Sequence, residues 1–129
     1  MARKVSDVMT PAPVSVSGQT SLSHAARLMR AHDVGVVLVL DDGRLLGMVT
    51  DRDIVVRAVA DGGAMSRPIR EICTGAIVSA TPDMSTREAA QLMSDHQVRR
   101  LPVVENDRLV GIVSIGDLAV KEGKDGRTG

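Results

Sequence analysis

Gly47-Met48-Val49-Thr50-Asp51-Arg52-Asp53 runs an apolar strand into the start of a helix, and Gly111-Ile112-Val113-Ser114-Ile115-Gly116-Asp117 repeats it. Both read glycine, two apolar residues, a hydroxyl residue, two variable positions and an aspartate. The offset of 64 positions holds for most of the chain upstream. Setting residues 5–55 against 69–119 without a gap gives 17 identities in 51 pairs, among them Val14/Val78, Ser15/Ser79, Leu28/Leu92, His32/His96 and Asp53/Asp117. An ungapped match of this length indicates a duplicated unit. Two copies suit paired half-domains better than a solenoid, which needs more repeats.

Within each copy the patterning predicts strand–helix–strand–strand–helix, an α/β (α+β) unit. A turn-bearing segment opens it, Met9-Thr10-Pro11 and Cys73-Thr74-Gly75. Brief strands follow at Val14–Val16 and Ile77–Ala80. Ala25, Leu28, Met29 and His32, with Ala89, Leu92, Met93 and His96, recur at helical spacing. Ser85-Thr86-Arg87-Glu88 is a capping box for the second of these helices. Residues 34–40 form a near-continuous apolar run, as a buried strand does. Asp41-Asp42-Gly43 and Glu105-Asn106-Asp107 are hairpin chemistry, and Leu45–Val49 and Leu109–Val113 return as partner strands. The helices after them start at Ile54 and Leu118. The reading divides the chain into repeat 1 at 5–60, a Gly- and Pro-containing linker at 61–68, repeat 2 at 69–120, and a polar tail at 121–129 expected to be disordered.

Composition narrows the function. Sixteen basic and sixteen acidic residues cancel, and Phe, Tyr and Trp are absent. Without a basic stripe or aromatic stacking platforms, nucleic acid is not the expected partner. No apolar run reaches the length of a signal peptide or a membrane span, so a soluble, cytoplasmic protein is expected. Cys73 falls opposite apolar Met9 and reads as a small packed hydrophobe. Asp51 and Asp53 lack the further ligands a metal needs. No nucleophile–base pairing or phosphate loop stands out, so the chain does not read as an enzyme.

The motif itself admits two roles. Thr50 and Ser114 suit helix N-caps, with Asp53 and Asp117 closing capping boxes. Equally, a carboxylate beside a helix N-terminus suits vicinal hydroxyls with an anion nearby, and the two roles can coexist. Adjacent Arg99 and Arg100 would point to opposite sheet faces, so at most one of them faces a given ligand squarely.

With these motifs and the strand Val98-Arg99-Arg100-Leu101-Pro102-Val103-Val104, residues 5–119 resemble a tandem pair of CBS (cystathionine β-synthase) domains, a Bateman module of the small stand-alone bacterial type. The resemblance implies two β-α-β-β-α repeats about a pseudo-two-fold axis, with adenosine nucleotides (AMP, ADP or ATP; NAD and S-adenosylmethionine as further candidates) in two clefts. It implies a regulatory sensor without a resident cofactor, a homodimer, and a separate regulated protein. The alternative is a dimerising interaction protein with vestigial clefts. By the same resemblance Thr50 and Asp53 serve one cleft with Ser79, Thr81, Arg99 and Arg100. Ser114 and Asp117 serve the other with Ser15, Ser17, Gly35 and Val36. Because Gly35-Val36 stands where the second copy has Arg99-Arg100, the clefts are expected to be unequal, the Asp53 cleft taking the phosphorylated ligand.

Overall fold

The structure, a computed structural model, describes residues 3–73 and 78–119. The expected turn at Thr74-Gly75, the start of the strand from Ile77, and the tail from 121 lie outside the described residues. The chain forms two compact bodies: residues 14–77, and residues 78–129 together with 1–13.

In the first body, β2 (Ser15–Ser17) pairs in parallel with β3 (Val36–Asp41), which pairs antiparallel with β4 (Arg44–Thr50). The parallel step is bridged by α2 (Leu22–His32). Ser21 caps that helix by accepting the His24 N–H, and Asp33 closes it in the left-handed region at φ 52°. The β3–β4 turn places Asp42 and Gly43 at φ 52° and 81°. Positive φ at both central residues is what a two-residue hairpin of right-twisted strands requires. From β4 the chain enters α3, an α-turn at Asp51–Asp53 that widens over Ile54–Val59, where the Ala60 N–H reaches back five residues to the Val55 carbonyl at 2.9 Å.

The second body repeats this with α4 (Thr86–His96), β5 (Arg100–Glu105), β6 (Arg108–Ser114) and a helical segment at 115–119. The Ser85–Glu88 capping box forms as its sequence predicts. The brief strand expected over 77–80 is reduced, among the described residues, to one parallel bridge, Ala80 to Val103. The reason is a donor: in the first body the Leu38 N–H binds the Val14 carbonyl at 2.9 Å. Pro102 occupies the equivalent position and has no N–H to give.

Each core is finished by the opening segment of the other repeat. Ile69 and Ile72, at the start of repeat 2, are buried with Leu22, Met29, Val37, Val39 and Val49 of the first body. Their counterparts Val5 and Val8, on α1 (Val5–Val8), are buried with Met93, Leu101, Val103 and Val113 of the second. Backbone bonds fix both exchanges. The Val5 N–H meets the Met84 carbonyl at 2.8 Å, and the Ile69 N–H meets Thr20's at 2.7 Å. Part of the 61–68 segment is tied to the start of α2: the Met65 and Arg67 carbonyls accept from the Ser23 and Leu22 N–H groups, each at 2.9 Å.

The expected turn at Met9-Thr10-Pro11 is instead extended. Thr10 and Pro11 form β1 (Thr10–Pro11), paired antiparallel with β6. The bend follows at Ala12, which sits between two prolines at φ 46°. Here the motif glycine has a packing role. A Cβ on Gly111 would lie 2.5 Å from Met9 Sδ and 3.0 Å from the Thr10 carbonyl oxygen, so any side chain would push β1 away.

Candidate functional site

The strand-to-helix junction of each body is built the same way, because the same residues dictate it. In the first, the Asp53 N–H donates to Thr50 Oγ1 at 3.0 Å and the Thr50 N–H donates to Asp53 Oδ2 at 2.8 Å. In the second, Asp117 N–H to Ser114 Oγ is 3.1 Å and Ser114 N–H to Asp117 Oδ2 is 2.9 Å. The capping reading of the motif is therefore correct in both copies. It does not exhaust either carboxylate, which has about four lone-pair sites and uses one of them on the backbone. All four residues are half-buried.

Asp53 Oδ1 lies 3.9 Å from Arg57 Nε, one helical turn on, and Arg57 Nη1 donates to the Ile72 carbonyl at 3.3 Å. Arg57 was legible as a partner from its i,i+4 spacing to Asp53, but the motif pattern alone passes over it. Half-buried Cys73 is next to this pair. Burial pushes its thiol up from the usual value of 9.0, the Asp53 charge pushes it the same way, and the Arg57 charge opposes them. That holds the sulfur as a thiol and suits a packed residue.

The strand register sorts the remaining candidates. Val36 lies opposite Thr50, and the Gly35 carbonyl accepts the Asp51 N–H at 2.9 Å. Arg100 lies opposite Ser114, and the Arg99 carbonyl accepts the Ile115 N–H at 2.9 Å. Within its own body, then, each pair at the start of the second strand lies across the sheet from the hydroxyl residue of that body's motif. Arg99 is exposed and Arg100 half-buried. Neither guanidinium has a hydrogen bond or ion pair among the described residues. Ser15 lies opposite Leu38, two residues along from Val36. Exposed Ser17 is opposite Leu40, at the hairpin end, about 15 Å along the sheet from Thr50. There it borders a separate concavity of about 350 Å³ with Asp41, Asp42 and Arg70. Ser79 and Thr81 are exposed on either side of the Ala80 bridge.

A second concavity, of about 370 Å³, opens between the C-terminal half of α2 and the start of α3. Met29, Val34, Ile54 and Val55 line its apolar part, and Arg30, Asp33 and Asp51 add charge. Among the described residues no group of three or more His, Cys, Asp or Glu is placed to hold a metal ion. No described helix is long and apolar enough to cross a membrane.

A family model described as "CBS domain" matches the chain twice, at residues 5–59 and 69–121. The CBS domain-containing protein YhcV of Bacillus subtilis is 46% identical over 118 residues, covering 92% of this chain and 84% of YhcV. Among solved structures, Hypoxic Response Protein I with two coordinated zinc ions aligns at TM-score 0.83 and 38% identity, covering 91% of this chain and 97% of that one. The CBS domain pair of protein MJ0100, in complex with 5′-methylthioadenosine and S-adenosyl-L-methionine, aligns at TM-score 0.86 and 28% identity, covering 97% and 99%.

Proposed function

This chain belongs to the CBS domain family as a tandem pair, a ligand-binding regulatory module, and from that premise we propose that it binds adenosine nucleotides or related adenosine compounds and reports their presence to a partner. The observation that carries the reading is the matched state of Asp53 and Asp117. One oxygen of each is anchored by a backbone N–H, which fixes the carboxylate plane at a helix mouth. The remaining lone pairs are thereby aimed in advance, at little further entropic cost, at the two vicinal hydroxyls of a ribose. A diol held this way sits beside the start of a helical segment, whose positive end attracts a negatively charged ligand. The strand register leads us to group Arg99 and Arg100 with Ser114 and Asp117, and Gly35 and Val36 with Thr50 and Asp53. Ser15, Ser17, Ser79 and Thr81 remain candidates for contacts to the base. The complex of MJ0100 with two adenosine compounds supports the ligand class.

The test uses the absence of aromatic residues. Protein purified without added ligand barely absorbs near 280 nm, so a carried-over adenine compound dominates the spectrum near 260 nm and is identified after denaturation. Stripped protein is then titrated calorimetrically with AMP, ADP, ATP, NAD, S-adenosylmethionine and 5′-methylthioadenosine. No response to any of them overturns the reading.

A second reading, a homodimerising interaction protein with unused mouths, is favoured by exposed Val34, Val55, Val56 and Val59 on the first body and Ile115 on the second. A dimer is compatible with both readings. Sedimentation with and without ligand separates them, since a sensor changes its assembly or its partner affinity with occupancy.

A further inference from the structure

The segment that opens the chain is seated in the second body, and the chain then leaves for the first body within two residues. Val5 and Val8 are buried in the second core. The Val5 N–H meets the Met84 carbonyl at 2.8 Å, the Thr86 N–H meets the Arg3 carbonyl at 2.8 Å, and Lys4 Nζ lies 3.7 Å from Asp83 Oδ1. Thr10 and Pro11 pair with Ile112 and Gly111 of β6. Val14 already belongs to the first body, where its carbonyl accepts the Leu38 N–H at 2.9 Å. Ala12 and Pro13 make the whole passage.

That passage is strained at one residue. Ala12 stands between Pro11 and Pro13 with φ at 46°. A positive φ is unfavourable for a residue that carries a Cβ, and a residue before proline is pushed towards extended backbone. The flanking rings hold their own φ near −65° and cannot share the reversal, so it falls on Ala12. The Ala12 N–H reaches the Val110 carbonyl only at 3.4 Å, a long bond that offsets little of this.

We propose that the opening segment is exchanged between two copies of this chain: residues 3–11 of each copy seat in the second body of the other, with Ala12 relaxed to extended backbone. The contacts above run between the segment and the second body alone, so the exchanged form reproduces each of them and forfeits none. What separates the two forms is the hinge, which favours exchange, and the entropy of association, which opposes it on dilution. The seat is also shaped to this segment. A Cβ on Gly111 would lie 2.5 Å from Met9 Sδ and 3.0 Å from the Thr10 carbonyl oxygen, so the occupant it fits is the same segment from a second copy. A reciprocal exchange closes as a two-fold dimer, separate from one formed through the exposed valines of the first body.

The experiment uses two full-length chains in a Cys73→Ala background, one with Thr10→Cys and the other with Ile112→Cys. These positions are directly opposite across β1 and β6, within reach of a disulfide. The chains are unfolded in urea, refolded together and oxidised. A disulfide between them requires β1 of one chain to lie on β6 of another, which a dimer through any other surface does not provide. Arg108→Cys, exposed at the far end of β6, replaces Ile112→Cys to measure random collision. The Thr10–Ile112 disulfide is expected to exceed that control and to rise with protein concentration. Adding Ala12→Pro, whose ring forbids a φ of 46°, is expected to raise the yield several-fold, and Ala12→Gly, which takes that φ without strain, to lower it. Circular dichroism reports whether each variant folds, and the fall with Ala12→Gly is read whether or not Ala12→Pro folds. An interchain yield no greater than the Arg108→Cys control, or one that Ala12→Gly leaves unchanged, would overturn the proposal.

Discussion

Asp53 and Thr50 are locked to each other by two hydrogen bonds, Thr50 N–H to Asp53 Oδ2 at 2.8 Å and Asp53 N–H to Thr50 Oγ1 at 3.0 Å. The pair does two jobs at one place. It ends β4 and starts α3, and it sets the orientation of a carboxylate at the helix mouth. A neutral amide in place of the acid keeps an acceptor for the Thr50 N–H, so chemistry at the mouth can be altered with the cap largely retained.

The charge of Asp53 is expected to be felt at Cys73. Asp53 and burial hold the thiol protonated and Arg57 works against them. Asp53→Asn is expected to speed alkylation of Cys73 by iodoacetamide at mildly alkaline pH, and Arg57→Ala to slow it. Since the folded-state pKa is raised, the thiol contributes stability that is present below its unfolded value near 9.0 and is lost as pH rises through the folded value. Cys73→Ala is expected to flatten that alkaline loss in chemical denaturation curves. Alkylation rates indifferent to both charge changes would contradict the arrangement.

The reciprocal seating of the opening segments makes Ile69 a core residue of the first body and Val5 one of the second, both with no exposed surface. Ile69→Ala is expected to destabilise the protein by about 2–5 kcal/mol, and Val5→Ala by about 2 kcal/mol. Urea denaturation monitored by far-ultraviolet circular dichroism measures both. Losses below about 0.5 kcal/mol, as at a surface site, would show that these segments do not complete the cores.

The two hairpins share a backbone but not a sequence. Gly43 takes the second positive-φ position in one, at 81°, and Asp107 takes it in the other, at 64°. Glycine adopts that conformation without the clash a Cβ brings. Asp107→Gly is therefore expected to stabilise the protein by about 0.5–1 kcal/mol, and Gly43→Asp to destabilise it by a similar amount. A lower melting temperature for Asp107→Gly would contradict the turn assignment.

Much of this was legible in the chain because the repeat says everything twice. The period of Ala25, Leu28 and Met29, the run from Val36 to Leu40, and the Ser85–Glu88 box each name a local structure by local chemistry. Two features resisted. Nothing local tells Val5 and Ile69 which core to enter, because both bodies offer nearly the same apolar surface and the choice is one of tertiary closure. The shortening of the strand before Ala80 follows from Pro102, more than 20 positions later in sequence, and becomes visible only once the strands are paired. At the strand-to-helix junctions, the reciprocal cap between the hydroxyl residue and the aspartate of each motif was legible by pattern. That Arg100 lies opposite Ser114 is a matter of strand register, which composition and spacing do not supply.

The central claim is that the motif aspartates hold a ribose. Calorimetric titration of ligand-free wild type and of the double variant Asp53→Asn/Asp117→Asn with adenosine and AMP tests it most directly, with circular dichroism confirming that the variant remains folded. Removing a charged acceptor is worth about 1.5–3 kcal/mol per bond, so the account predicts that the variant binds at least tenfold more weakly. Undiminished affinity in a folded double variant would contradict it.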